Sequence, residues 1–163
     1  MIDDNVVLGE DVSIPFPDLV NLYDCTIGDH SQISPFVEIG GGCIIGRYVR
    51  IRPHVTLGGW LQIEDYVFIG NGAQHCNDVY PMSYTNEANP TFRQTVIKHH
   101  SSIGVNSTIM PGVVIGPYAL VGAGTLINKT VPPFSVVVGN PMRVLHRFAN
   151  ADEFYTHLGG KPE

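Results

Sequence analysis

From Ile27 onward an apolar residue returns at every sixth position. Ile27, Ile33, Ile39, Ile45, Ile51, Leu57, Ile63 and Ile69 are all branched aliphatics. After a gap the rhythm resumes at Ile97, Ile103, Ile109, Ile115, Val121 and Ile127. If each of these is position i, then i+1 is glycine at Gly28, Gly40, Gly46, Gly58, Gly70, Gly104, Gly116 and Gly122. Position i+4 is mostly small or β-branched, as at Ser31, Val37, Val49, Val55, Val67, Ser107 and Thr125. The pattern predicts a short strand and a turn in each unit. Residue i points inward, glycine supplies turn backbone that a side chain would forbid, and i+4 fills the remaining core.

A six-residue unit cannot bury its own face, so units must stack. Three hexads close one triangular coil, which places each residue beneath the one 18 positions later, as in Ile27–Ile45–Ile63. The expected fold is all-β: a left-handed parallel β-helix of hexapeptide repeats, with one long protruding loop and a short C-terminal helix. This handedness is an exception to the right-handed crossover rule. The solenoid is expected over residues 1–148, with a helical tail over 149–163. Its first coil is irregular, with a slip of one residue near Pro15-Phe16-Pro17. A ladder Val7–Cys25–Cys43–Leu61–Val79 follows from the same spacing. Stacked cysteines about 4.8 Å apart with parallel side chains make a poor disulfide, so Cys25 and Cys43 read as small buried hydrophobes. At the other end the coils stop at Val131-Pro132-Pro133. Asn150 followed by Asp152 and Glu153 reads as a helix start, with Phe154 and Leu158 on one face and Gly159-Gly160 as the stop. That helix is expected to cap the open edge of the solenoid.

The ladder Ile39–Leu57 should continue with an aliphatic, and His75 stands there instead. The rhythm is then lost through a polar, proline-containing stretch, a loop of about 76–95. Long loops in compact folds are commonly functional. His75 can serve as a general base or as a hydrogen-bonded residue ending the core. Asn77 can orient a substrate amine or carbonyl, or it can simply occupy a left-handed corner in the ladder Gly41–Gly59–Asn77. Asp78 can hold or charge-match the same group.

Composition adds a few exclusions. The 163 residues include 18 Gly and 12 Pro, which speaks against a helical bundle. A formal charge of −6 argues against a nucleic-acid surface. No apolar run approaches the roughly 20 residues that span a bilayer, and the acidic start Met1-Ile2-Asp3-Asp4 has no apolar h-region, so no signal peptide is expected. Three cysteines without close pairing fit a reducing cytoplasm. Local basic islands at Arg47, Arg50, Arg52 and His54, and at Lys129, Arg143 and Arg147, can take phosphates or serve as solvated charges. Trp60 can stack a base or pack between subunits.

The hexads resemble those of the hexapeptide-repeat acyltransferases, and Gly139-Asn140-Pro141-Met142-Arg143-Val144 is similar to the signature that ends many of their solenoids. Asn21-Leu22-Tyr23, Phe36-Val37-Glu38-Ile39, His54, Ile63-Glu64-Asp65-Tyr66-Val67-Phe68-Ile69-Gly70 and Asn77-Asp78-Val79-Tyr80-Pro81 narrow the likeness. They resemble the N-acetyltransferases that act on the 3-amino group of nucleotide-linked amino sugars, over roughly residues 5–148. The resemblance implies a homotrimer with active sites between subunits, acetyl-CoA as co-substrate and no metal. It places the acetyl-CoA arm and phosphates at Ala123, Gly124, Lys129, Asn140 and Arg143. It places the nucleotide sugar at His54, Asn77 and Asp78, with Asn77 orienting the reacting amine. Glu38, Trp60 and Tyr80 are further candidate substrate contacts, and His75, where the subgroup carries an aromatic, is an extra candidate base peculiar to this chain. Gly59-Trp60 departs from the subgroup, which tends to carry a glutamate after His54. Alternatives are an O-acetyltransferase of a simple sugar, a zinc enzyme like the γ-carbonic anhydrases using His75, His99 and His100, and a non-catalytic scaffold.

Overall fold

The computed structural model describes residues 1–81 and 93–161. Its short strands form three parallel sheets, the faces of a left-handed β-helix. The first face stacks Val7–Leu8, Thr26–Ile27, Ile44–Ile45, Leu61–Ile63, Thr95–Ile97 and Val114–Ile115. The second stacks Gln32–Ile33, Arg50–Ile51, Phe68–Ile69, Ser102–Ile103, Leu120–Val121 and Ser135–Val138, and ends on the antiparallel strand Arg143–Arg147. The third stacks Asn21–Leu22, Glu38–Ile39, Thr56–Leu57, Gln74–His75, Thr108–Ile109 and Leu126–Ile127. All fourteen counted aliphatics are buried, at 5% exposure or less. The hexad reading therefore gave the core directly.

Register shows where the coil departs from its 18-residue pitch. Ile27 pairs with Ile45 and Ile33 with Ile51, as expected. Val7 pairs with Thr26, an offset of 19, which is the predicted slip. It also removes Val7 from the cysteine ladder. On the far side of the insertion Leu61 pairs with Thr95, so Val79 is not in that ladder either. The extra chain between the two coils absorbs the difference. Cys25 and Cys43 are free and buried, whereas Cys76 is exposed. Most of the expected loop, residues 82–92, lies outside the described residues.

The turns need a correction. In every complete turn the residue with left-handed backbone sits at i+3, as at His30, Tyr48, Tyr66 and Gly72. None of the eight i+1 glycines has positive φ, and neither does Asn77. The i+1 glycines answer a different constraint. A Cβ on Gly104 would lie 2.5 Å from the Ala123 nitrogen, and one on Gly116 would lie 2.5 Å from the Pro133 nitrogen. These positions are glycine because the next coil rests directly on them.

At two of the corners i+3 rings stack on one another. Between the first and second faces, rings follow one another at 4.8–5.0 Å through His30, Tyr48, Tyr66, His100, Tyr118 and Phe134. The helix α1 (Ala151–His157) leans on this column. Phe154 is buried against Tyr118 and Phe148, with Tyr155 beside His100. Asn150 caps it by accepting from the Glu153 N–H at 3.0 Å. Leu158 is exposed and does not share the buried face with Phe154. The edge of the second face is closed by the strand Arg143–Arg147, and not by the helix as the sequence suggested.

Candidate functional site

The corner between the third and first faces is built differently from the aromatic one. Successive coils bring Tyr23-Asp24, Gly40-Gly41-Gly42, Gly58-Gly59-Trp60 and Asn77 to it. The glycines strip the corner of side chains and leave a cleft of about 570 Å³ with a backbone floor. The two glycine coils touch closely: a Cβ on Gly59 would come within 2.4 Å of the Gly41 oxygen. Trp60, with φ +64 and about half exposed, forms one wall. Its N–H donates to the Gly41 carbonyl at 3.2 Å.

The polar lining is acidic and amidic. The Tyr23 hydroxyl donates to Glu38 Oε1 at 2.7 Å. That bond, with burial and the carboxylate charge, raises the phenol to about 12, so it stays protonated. Asp24 is exposed at the cleft edge. Asn77 lies against Gly58, with its Cγ 3.2 Å from where a glycine Cβ would stand. The arrangement offers two carboxylates, a carboxamide and open peptide groups. It can hold a cationic or amine-bearing group and orient it by hydrogen bonds.

Of the residues named from sequence, Glu38, Trp60 and Asn77 meet here. Asp78 follows directly, with its Oδ1 accepting from the Tyr80 N–H at 2.9 Å, and Tyr80 is exposed. His54 lies at the corner between the second and third faces, stacked on Phe36 at 4.8 Å. Within one chain it is therefore separated from Asn77 by the width of the third face. Ala123 and Gly124 turn the same corner nearer the C-terminal end. There the Thr125 hydroxyl donates to the Gly122 carbonyl at 2.6 Å and accepts from the Gly139 N–H at 3.1 Å. This ties Gly139, the residue before Asn140, to the turn that carries Ala123 and Gly124. A Cβ on Gly124 would meet nothing within 4 Å, so the space beside it is open. Lys129 and Arg143 are exposed near this end.

His75 is elsewhere than a general base needs to be. It pairs in register with Leu57 and Ile109 and is only 4% exposed, inside the solenoid. Burial lowers its imidazole below the ordinary value, opposed by its bond to the Gly58 carbonyl.

Sequence reasoning missed the cleft roles of Tyr23 and Asp24. Their signal was the position of this pair one coil below Gly41. The basic island also changes: Arg47 is spent on Asp65, with Nη2 2.8 Å from Oδ2. A second groove, of about 420 Å³, runs outside the first face past Ile44, Gln62, Glu64, Tyr66, His99 and His100. Its Glu64 is held by Lys98 at 2.7 Å and by the His99 N–H at 3.0 Å. Among the described residues no group of three or more His, Cys, Asp and Glu could hold a metal ion. No helix among them is long and apolar enough to cross a membrane.

Comparison with known proteins bears on this geometry. The bacterial transferase hexapeptide family (six repeats) matches residues 24–59 and 94–129. The chain is 43% identical over 54 residues to a dTDP-3-amino-3,6-dideoxy-alpha-D-galactopyranose 3-N-acetyltransferase of Aneurinibacillus thermoaerophilus, covering 33% of this chain and 28% of the relative. It is 36% identical over 97 residues to a probable macrolide acetyltransferase of Lysinibacillus sphaericus, covering 52% of this chain and 54% of the relative. The chain thus spans between about a quarter and about half of these relatives' lengths. Among solved structures it is similar to the N-acyltransferase AntD of Bacillus cereus in complex with dTDP and 3-hydroxybutyryl-CoA. That likeness has a TM-score of 0.76 and 25% identity, over 87% of this chain and 82% of the other.

Proposed function

We propose that this chain, whose residues 24–59 and 94–129 match the bacterial transferase hexapeptide family, is an acetyl-CoA-dependent N-acetyltransferase of a nucleotide-linked amino deoxysugar, acting at C3. The observation that carries the reading is the cleft itself, where Asp24, Glu38 and Asn77 line a glycine floor. A carboxylate can accept from a hydroxyl as well, but a pair of carboxylates favours an amine, which arrives as an ammonium ion and gains charge attraction in addition to hydrogen bonds. The similarity to a relative that acylates a dTDP-linked 3-amino sugar supports the same acceptor class.

In this reading Glu38 and Asp24 draw the ammonium group in, its first proton passes to solvent at the open cleft, and the neutral amine has its lone pair aimed by the Asn77 carboxamide. Asp78 and Tyr80 lie at the loop side, where the nucleotide sugar enters, with Trp60 as a wall for the base or sugar ring. The amine nitrogen attacks the thioester carbon, the C–N bond forms and the C–S bond breaks. The leaving thiolate takes the proton that the amine loses. Alignment supplies most of the acceleration, since an amine freed of its proton and solvent is already a nucleophile. The open space beside Gly124, with Ala123 before it and Asn140 following the Gly139 that is bonded to Thr125, suits the amide-rich arm of acetyl-CoA, and Lys129 and Arg143 suit its phosphates. Because His54 and Asn77 sit on opposite corners of one face, a site that uses both takes them from different copies. This supports a homotrimer with the site between subunits, acting in the reducing cytoplasm where three free thiols persist.

The test is acetyl transfer from acetyl-CoA to dTDP- or UDP-linked 3-amino sugars, with hydroxyl acceptors in parallel. The expected result is turnover of the amine alone, reduced about 10²-fold in kcat by Asn77→Ala, the scale of a lost alignment. Turnover of hydroxyl acceptors with none of the amines would replace this reading by an O-acetyltransferase.

A further inference from the structure

His75 is the one polar side chain in a ladder otherwise made of Leu22, Ile39, Leu57, Ile109 and Ile127. Its Nδ1 lies 3.0 Å from the Gly58 carbonyl oxygen. A carbonyl oxygen only accepts, so Nδ1 carries the proton. Nε2 is then a lone-pair acceptor, and it is buried with no hydrogen-bond partner among the described residues. An aliphatic residue would avoid that orphan and restore the ladder. The chain tolerates the mismatch, and what it gains is the bond to Gly58. Local rules broken at one buried position point to function.

Gly58 is not an arbitrary partner. It forms the cleft floor beside Asn77. Its carbonyl accepts a second bond from the interior, from the Cys43 thiol at 3.4 Å. Both donors pull the oxygen toward the core. The peptide group is planar and trans, so the Gly59 N–H points opposite to the Gly58 C=O. With the oxygen turned in, that N–H faces the cleft. The neighbouring amides of the floor are occupied: Gly58 N–H donates to the His75 carbonyl at 3.2 Å and Trp60 N–H to the Gly41 carbonyl at 3.2 Å. No acceptor among the described residues takes the Gly59 N–H.

We propose that His75, assisted by Cys43, is a positioning residue that locks the Gly58–Gly59 peptide so that the Gly59 N–H is a fixed hydrogen-bond donor in the cleft, for a ligand oxygen that gains negative charge. Its acyl-transfer role rests on the function proposed above, where that oxygen is the thioester oxygen in the tetrahedral intermediate. Gly59 touches the ligand and His75 acts through it.

The test compares His75→Ile, which completes the aliphatic ladder, with His75→Asn, whose side-chain amide can donate where Nδ1 does. In 15N-labelled protein the Gly59 amide resonance is expected to shift in the Ile variant and to return toward wild type in the Asn variant. With the proposed substrates, kcat of the Ile variant is expected to fall roughly 10²-fold, the scale of a lost oxyanion donor. KM for acetyl-CoA and Tm should hold or improve, and the Asn variant should recover most of kcat. Should His75→Ile unfold, Cys43→Ala supplies the same readouts with a smaller effect. A Gly59 resonance unmoved in the Ile variant, or full kcat in that variant, overturns the proposal. If the wild type acetylates no amino sugar, the proposed function fails, while the Gly59 resonance still decides the positioning role.

Discussion

At the scale of single residues, identity in this chain is set by which side of a thin wall a side chain faces. Position i enters a core of aliphatics, and the residue before it faces out, so Glu38 and Ile39 have opposite fates one peptide apart. The same wall separates the cysteines. Burial raises the Cys25 and Cys43 thiols from 9.0 to about 11, whereas Cys76 is exposed. Thiolate is the reactive form. At pH 7.5 an aromatic disulfide reagent should therefore modify one thiol per native chain, Cys76, and all three after denaturation. Both buried thiols hold their protons more tightly folded than unfolded. Their contribution to stability is thus complete below about pH 9 and is lost as pH rises toward 11. A plot of Tm against pH should fall over that window, and Cys43→Val should make the fall shallower. Rapid labelling of more than one thiol in the native protein would contradict this burial.

Most strands here are two or three residues long, too short to be stable alone. What stabilises them is the contact between coils, and the i+1 glycines are where that contact is tightest. Gly104 lies beneath Val121, Gly122 and Ala123, and an added Cβ would approach all three within 2.6 Å. These are backbone atoms, which cannot rotate away. Gly104→Ala should cost about 1–3 kcal/mol, the usual range for overpacking, read as a lowered midpoint in denaturant. Gly124→Ala, with open space around its Cβ, carries only the strain of φ +67 and is the matched control. The glycines were legible in the sequence, but their reason was not. A glycine chosen for positive φ and one chosen for close approach look alike until a neighbouring coil is in place. Left-handed backbone falls on Asp24, Gly42, Gly72 and Asn106, which a turn rule would select, but also on Phe36, Tyr48, Trp60 and Tyr66, which it would not. Where rings stack, as in Phe36–His54 and Tyr48–Tyr66, that contact offsets the strain.

Over the whole molecule, the aromatic column at one corner runs through six rings and ties the first coils to the last. It also seats α1. Tyr66 lies mid-column, stacked on Tyr48 at 4.9 Å and on His100 at 4.9 Å, across the coil that carries the insertion. An aromatic pair contributes about 0.5–1.5 kcal/mol beyond area burial. Tyr66→Ala, losing two, should destabilise the protein by about 1–3 kcal/mol by chemical denaturation while leaving the proposed acetyl transfer nearly intact, since the cleft is at a different corner. Tyr66→Phe should be nearly neutral. A Tyr66→Ala variant as stable as wild type would mean that the column is decoration on a scaffold held by its core alone.

The six-residue period by itself determined the all-β solenoid, its core, the 18-residue pitch and the place where the pitch fails, because a periodic chain has one way to bury a periodic face. The helix start at Asn150 was legible too, since capping is local chemistry. Tertiary structure alone decided what those residues do together. It put Tyr23 and Asp24 beside Glu38 and Asn77, because corners unite residues a coil apart that no local rule connects. It turned His75 inward onto Gly58, since strand alternation in a closed coil fixes which side chains face the core. It also moved the edge-closing role from the helix to the strand Arg143–Arg147, because an open sheet edge is satisfied by backbone hydrogen bonds, which a strand offers and a packed helix does not.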